Sequence, residues 1–485
     1  MQADRSLPLP FLQRIKCSAH FIYPWPEIFI ASLAMSTNIN PLCFPSKLPD
    51  IRTEAIPPWG LPERSYYDLT PEDEILDFHN RKLSVEETSK AASDPIVAVI
   101  GVGYVGEQLV DNFSSGYQVL GYDVSDSRIS QLKQSFQFND RVRFTRIPRD
   151  LAVATHFLIS VPTLLLPDRT VDSSYIRRAL NVIANYARRG SVIVIESSVA
   201  VGMTRQLLGP LAEEHGYFAG MSPERVDPGR AEPHASAIPK IVSGLDDVVP
   251  GSLDVITKLY AEVFRRVIPV SCPEVAEMTK LYENCQRMVC IAYANEMADA
   301  CRSHGIDPFE VCRAAATKPF GYMPITPGLG VGGHCIPVNP YYLLANNEFP
   351  LLEIASETMR ARPAAIAEQV VHKSYSGLRS RLRPHVLVVG IGFKPGQSNL
   401  ANSPGLALSQ ALVLTDRVEV SWLDPLVGQE AVPQILRLHP DHWTAETLED
   451  AFDMVVVAFR QHGVDFSILD RVQGVQVEWW CSQNG

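Results

Sequence analysis

Ile96-Val97-Ala98-Val99-Ile100-Gly101-Val102-Gly103-Tyr104-Val105-Gly106 decides the fold. Five apolar, mostly β-branched residues read as a strand buried on both faces. The Gly-x-Gly-x-x-Gly that follows sits where a strand hands over to a helix, expected from Tyr104 to about Phe113. There Gly101 allows the turn, Gly103 lets a pyrophosphate approach the backbone, and Gly106 packs helix on sheet. The first helical turn, with Tyr104 and Val105, offers unpaired N–H groups to phosphate charge. Alone, this glycine pattern is a weak signal. Asp123 strengthens it, because it follows the next apolar stretch, Gln118–Tyr122, 22 residues after Gly101. A carboxylate there accepts hydrogen bonds from the adenosine ribose and repels a 2′-phosphate, which favours NAD over NADP. Arg128 reads either as a further contact to that cofactor or as a solvated surface arginine.

Working outward, Thr155–Val161 and Ser191–Ile195 are further apolar runs, with a helical pattern from Ser173 to Arg188 between them. Strand–helix alternation of this kind predicts a parallel sheet. Pro273–His304 reads as one long helix ended by Gly305, and Asp307-Pro308 as the cap and first turn of another. Pro319–Pro340 is a loop rich in Gly and Pro, and Leu351–Arg379 is mostly helical. A second α/β pattern opens at His385–Gly390 and continues through Val418–Trp422 and Met454–Phe459. The expected fold class is therefore α/β, two Rossmann-like parallel-sheet domains joined by a central helical domain. The expected spans are 95–270, 271–380 and 381–485. Residues 1–94 are proline-rich and weakly periodic, an irregular or disordered leader with a short helix near Glu72–Phe78 and a second candidate start at Met35.

At 485 residues the chain is too long for a single core. A net charge of −11 argues against a general nucleic-acid or anionic-membrane binder. Phe21–Met35 is apolar but too short to span a bilayer, holds Pro24, Pro26 and Glu27, and lacks the order of a signal peptide. The nine cysteines form no CxxC pair, so no zinc or dithiol motif is supported. Free thiols in a reducing cytoplasm fit best.

One cysteine stands apart. Cys335 lies in Gly330-Val331-Gly332-Gly333-His334-Cys335-Ile336-Pro337-Val338-Asn339-Pro340. Glycines before the thiol and prolines after it describe a backbone held in fixed turns. On the long helix, Lys280, Asn284, Arg287 and Asn295 share one face. Such a stripe is either a wet helix face or a cradle for a developing alkoxide, with a charge and an amide donor one turn apart.

Taken in order, these motifs resemble the UDP-glucose/GDP-mannose dehydrogenase family of nucleotide-sugar 6-dehydrogenases over roughly Ile96–Phe466. The carriers are Gly101–Gly106, Val161-Pro162-Thr163, Glu196-Ser197-Ser198-Val199, Ser222–Gly229, Lys280 with Asn284, Gly330–Pro340, Phe393-Lys394-Pro395 and Ser403-Pro404. Thr317–Gly321 and the Gly332–Val338 run look most like the branch acting on UDP-N-acetylhexosamines, UDP-N-acetylmannosamine above all. UDP-glucose is the alternative substrate. The resemblance implies a four-electron oxidation of the sugar C6 alcohol with NAD. Cys335 would be the covalent nucleophile, through a thiohemiacetal and then a thioester. It further implies that Lys280 and Asn284 stabilise oxyanion charge, that Glu224 is the acid/base group, and that Ser198 orders the water. Pro162 and Thr163 would border NAD. Gly332, Gly333, His334, Phe393 and Lys394 would meet the sugar nucleotide, with Arg287 and Lys318 as weaker candidates. His334 either orients the acyl oxygen or packs. A homodimer built on the long helix is implied as well.

The chain also departs from that pattern. Asn339 stands where the family carries an Asp beside the lysine. Gly396–Asn402 replaces an Asp-rich stretch that holds an Arg, and Met359 replaces an Asn. An amide cannot take a proton as a base, so either Glu224 carries the hydrolytic proton transfer alone or hydrolysis is slow. Two other readings remain open. One is a two-electron β-hydroxyacid dehydrogenase, which needs neither Cys335 nor a third domain. The other is a hydrolysis-impaired NAD or nucleotide-sugar binding protein.

Overall fold

The computed structural model describes residues 94–227, 232–376 and 382–483. The helix expected near Glu72–Phe78 and nearly all of the leader lie outside these residues. Ile96–Ile100 is β1, an interior strand of an eight-stranded sheet. The others are β2 (Gln118–Tyr122), β3 (Val142–Thr145), β4 (His156–Ile159), β7 (Val192–Ile195), β8 (Phe218–Met221), β9 (Lys240–Gly244) and β10 (Val267–Pro269). Between β4 and β7 a small hairpin, β5 (Leu164–Leu165) with β6 (Val171–Asp172), stands apart.

The spatial order is β3-β2-β1-β4-β7-β8-β9-β10. Its first six strands are parallel, the doubly wound dinucleotide order. β9 corrects the expectation of an all-parallel sheet: it runs antiparallel to β8, with Met221 opposite Ser243. Among the described residues, the β8–β9 connection holds no helix beyond the single turn Ala235–Ala237. With no helical crossover, the chain returns from the end it left.

Both sheet faces are covered, which is why β1 reads as a continuous apolar run. Ala98, Ile100, Phe157 and Ile193 pack toward α3 (Ser174–Tyr186) and α4 (Met203–His215). Val97, Val99, Leu158 and Val194 pack toward α1 (Tyr104–Ser114) and α5 (Ser252–Ala261). The remaining helix of this part, α2, is Asp126–Ser135.

The long helix α6 covers Pro273–Ser303, about 46 Å at 1.5 Å per residue. Behind it come α7 (Pro308–Ala315), α8 (Asn339–Leu344) and α9 (Pro350–Ser374). Asp307 caps α7 by accepting from the N–H of Phe309 and Glu310. Leu281, Cys285, Met288 and Ala292 of α6 bury against Tyr342 and Leu343 of α8 and Leu352, Ala355 and Met359 of α9.

The second sheet contains β11 (His385–Val389), β12 (Glu419–Leu423), β13 (Leu436–Arg437), β14 (Met454–Val457) and β15 (Gln476–Trp479) in the order β13-β12-β11-β14-β15, all parallel. The far half of α9 enters its core, where Ile366, Val370 and Val371 meet β11 residues and Leu408 of α10 (Pro404–Leu414). The two sheets share a local device. Asp424 after β12 accepts from the N–H groups of Ile391 and Gly392, as Asp123 after β2 accepts from Val102.

Candidate active site

The dinucleotide turn is tightly built. A side chain at Gly106 would place its Cβ 2.0 Å from the Gly101 carbonyl oxygen, so only glycine lets α1 lie this close to the turn. Gly103 caps α1 without any side-chain hydrogen bond, which leaves the first-turn N–H groups facing outward. Asp123 accepts from Val102 N–H at 3.0 Å and Ser125 N–H at 2.9 Å, and a carboxylate has lone pairs left for ribose hydroxyls. Arg128 settles as part of this turn rather than as a solvated arginine. It donates to the Val102 and Gly103 carbonyls and pairs with Glu107 at 2.5 Å. Tyr104 is 44% exposed at the lip. The residues present therefore fit NAD: an uncapped helix N-terminus for pyrophosphate and a carboxylate for ribose.

From the ends of β4 and β7 come two loops that touch. Thr163, following Pro162, donates its hydroxyl to the Ser198 carbonyl at 2.8 Å, and Ser197 donates to Val161 at 2.6 Å. Glu277 of α6 holds the second loop by accepting from Gly202 and Thr204 N–H.

Three residues after Glu277, Lys280 points into the site and is 8% exposed, and Asn284 lies one turn on. Burial lowers the Lys280 pKa; the Cys335 thiol and the Glu224 and Glu283 carboxylates oppose that shift, and Lys240 adds to it. Asn284 donates to the Asn339 side-chain oxygen at 2.5 Å. The Asn339 backbone N–H in turn donates to the Cys335 carbonyl at 2.8 Å, so the cysteine's own C=O starts α8. Thiol, ammonium and two amides thus meet where α6 passes the start of α8. Of the remaining stripe, Asn295 is structural: it bonds Gly328 N–H and the Met359 sulfur. Arg287 is exposed and lies off this cluster. Lys318 is exposed too, its ammonium over the Phe320 ring.

Glu224 is pinned from three sides. One oxygen accepts from Arg225 and Val226 N–H, the other from Lys240 at 3.1 Å. Burial alone would raise its pKa, but the Lys240 charge and these hydrogen bonds hold it below the usual carboxylate range. Arg225 is itself anchored by paired contacts to Glu283 on α6.

The domain built on the second sheet reaches the thiol loop directly. Gly333, at φ +91°, donates to the Ala401 carbonyl at 2.8 Å, and Asn402 donates to the Gly333 carbonyl at 2.9 Å. Asn399 contacts the His334 ring at 3.2 Å, so His334 faces that domain. A Cβ on Gly332 would lie 3.0 Å from both Phe393 and Pro404. The stretch Gly396–Asn402, which reads in sequence as a loss of charged groups, is here the bed of the Cys335 loop. Lys394 pairs with Asp227 at 3.0 Å, bridging the domain to the segment that carries Glu224. Sequence reasoning missed Asn399, Asn402 and Lys240, whose partners are remote in the chain. The signal present was an unusual Asn-rich loop and a lysine opening an apolar strand.

The described residues contain no group of three His, Cys, Asp or Glu able to hold a metal, and no helix long and apolar enough to cross a membrane.

Known proteins match this arrangement. Residues 96–264 match the NAD binding domain, and 274–359 the central domain, of the UDP-glucose/GDP-mannose dehydrogenase family. A UDP-N-acetyl-D-glucosamine 6-dehydrogenase of Pseudomonas aeruginosa is 31% identical over 360 residues, 69% of this chain and 83% of that protein. A UDP-N-acetyl-D-mannosamine dehydrogenase of Pyrococcus horikoshii is 30% identical over 75% of this chain and 88% of its own length. A solved UDP-D-ManNAc dehydrogenase structure from Pyrococcus horikoshii superposes with a TM-score of 0.67 at 27% identity, covering 79% of this chain and 99% of that one. With its glycine turn, its Lys280–Asn284 helix and its cysteine loop in these places, the chain belongs to the UDP-glucose/GDP-mannose dehydrogenase family and is an NAD-dependent nucleotide-sugar dehydrogenase.

Proposed function

We propose that this enzyme oxidises C6 of a UDP-N-acetylhexosamine, UDP-N-acetylmannosamine first among them, to the uronic acid, with Cys335 as covalent handle. The observation that carries this is the meeting of a half-buried thiol with buried Lys280 and Asn284 at the start of α8. Relatives named for UDP-N-acetylglucosamine and UDP-N-acetylmannosamine support the substrate class.

Bound NAD supplies the hydride acceptor, two equivalents for the four electrons removed. The chain's own residues manage charge and protons. Lys280 and Asn284 face the C6 oxygen as it loses its proton, where a fixed ammonium and amide lower the cost of negative charge. The Cys335 sulfur adds to the aldehyde carbon and keeps it from escaping as a thiohemiacetal. After the second oxidation the same carbon is a thioester. Water, ordered beside Ser198 and giving its proton to Glu224, adds to that carbon. The C–S bond then breaks, the proton held by Glu224 passes to the sulfur, and the thiol is restored as the uronate leaves. Gly332, Gly333, Phe393 and Lys394 border the space for the sugar nucleotide, and Lys394 would exchange Asp227 for a UDP phosphate.

The test is protein, NAD and a panel of UDP-sugars that includes UDP-glucose, read as NADH per sugar and as product. Two NADH and a uronate support the reading; no NADH with any sugar sinks it. Asn339 favours a second outcome, one in which thioester hydrolysis is slow. Its side chain is spent on Asn284 and offers no carboxylate. Asn339→Asp is expected to speed single-turnover thioester decay about a hundredfold or more, the low end of acid–base effects. An unchanged decay rate removes Asn339 as the limiting group.

A homodimer through α6 belongs to the same reading. Val275, Met278 and Tyr282 expose apolar surface on one side of it, Tyr282 at 67%. Sedimentation at micromolar protein should give a dimer; a monomer there overturns this part. The seven described cysteines are all free, which suits the cytoplasm.

A further inference from the structure

Behind the reacting face, Glu224 joins a buried charge cluster whose other members, Lys240, Glu196 and Tyr260, none of these steps uses. Lys240 opens β9 and its side chain is 3% exposed. Its Nζ donates to Glu196 at 2.6 Å, to Glu224 at 3.1 Å and to the Pro223 carbonyl at 3.4 Å. The Tyr260 hydroxyl, from α5, donates to the other oxygen of fully buried Glu196. The rings of Tyr260 and Phe264 stand 5.9 and 5.6 Å from the ammonium. From α6, Lys280 is the further charge acting on Glu224 and Lys240, while Arg225 is turned to Glu283.

The antiparallel return of β9 makes this cluster. Continuing the register of Met221 opposite Ser243 brings Lys240 opposite Glu224, at the sheet edge where Glu196 follows β7. A parallel β9 would have started at the far edge. An apolar trio of similar volume would pack as well as these three charges. It would not hold a carboxylate ionised.

The two acids are held differently. Burial pushes Glu196 up to about 7 although Lys240 opposes it, with Glu224 adding to the rise. Glu224 is lowered by the same lysine and by two N–H donors that Glu196 lacks. A proton entering the cluster therefore goes to Glu196 and spares Glu224.

We propose that Lys240 is a positioning residue for the oxidation, keeping the Glu224 carboxylate ionised and fixed at the edge of the thiol site, with Glu196 as the store for a surplus proton. This rests on Glu224 acting as the base. The test compares wild type with Lys240→Met, Lys240→Arg and Lys240→Met/Glu196→Gln, reading NADH formation against pH, KM for both substrates, and Tm. Without the ammonium, two neighbouring buried carboxylates must share a proton. The acid limb of kcat should then move up by about one pH unit or more, with KM little changed. Lys240→Arg should keep the wild-type profile, and the double variant, which lacks the competing acid, should move it back.

A second readout does not depend on turnover. The infrared band of a protonated carboxyl should be present in Lys240→Met at about pH 8 and absent from wild type, whose Glu196 titrates near 7. A folded Lys240→Met with neither the shifted limb nor this band overturns the proposal. So does a loss that is equal at every pH and insensitive to Glu196→Gln. Full turnover by Glu224→Gln would instead remove Glu224 as the base, and the infrared band would still decide what Lys240 does.

Discussion

Cys335→Ser is expected to abolish uronate formation and leave NAD binding intact. A serine hydroxyl titrates far above a thiol and is not a nucleophile at neutral pH without its own base. The substitution alters one atom in a loop whose shape is set by backbone bonds. The Cys335 carbonyl accepts from Val338 and Asn339 N–H, and Gly333 is tied to Ala401. The loss should therefore be chemical, roughly 10⁶-fold in kcat, the scale seen when a covalent nucleophile is removed. The glycine turn at Gly101–Gly106 is a separate structure, so NAD titration should be unchanged. Product analysis and NAD titration on one preparation check both halves. A serine enzyme with undiminished turnover would take the cysteine out of the mechanism.

Lys280→Met should cost about 10²- to 10³-fold in turnover, as removal of one oxyanion donor does, while leaving the protein as stable or more so. Lys280 is 8% exposed, and burial lowers its pKa from the ordinary 10.5. The unfolded chain then binds a proton more readily than the folded one. Between the folded value and 10.5 the unfolded state carries more protons, so wild-type stability rises with pH across that window. Below it the full penalty of the buried charge remains. Methionine removes the charge and keeps the length, so its Tm should match or exceed wild type at neutral pH and lose that rise. Melting curves against pH, beside NADH rates, test the pair. A variant that is both slow and clearly less stable would make Lys280 a structural lysine.

The parts of the fold legible in sequence were those with local causes. β1 shows as a run because both faces of its sheet are covered, and the glycine turn shows because no other residue fits at Gly106. The helices α1, α6 and α7 were readable from their starts. α2 was not, because only Ile129 and Leu132 of its residues are buried and its periodicity is faint. The direction of β9 was hidden, since alternation and run length are the same in either orientation. At the site, the thiol, the lysine and the asparagine were visible as residue types in special settings. Arg287 shares the helical spacing of Lys280 and Asn284 yet falls beyond the edge of the buried strip. The Lys240 contacts join positions 44 and 16 residues apart through strand pairing, which no local pattern encodes.

The grip of Asn399, Ala401 and Asn402 on the loop before Cys335 bears on how such an enzyme can be re-engineered. Exchanging the part built on the second sheet between relatives looks like a simple swap. In this chain the exchange would also replace the mould in which the Cys335 loop is cast. A graft joined after Ser403 keeps Asn399, Ala401 and Asn402 against that loop, but sets this chain's β11 against the donor's β12 and β14. A graft joined before Gly396 needs the donor's own glycine–cysteine loop to travel with it.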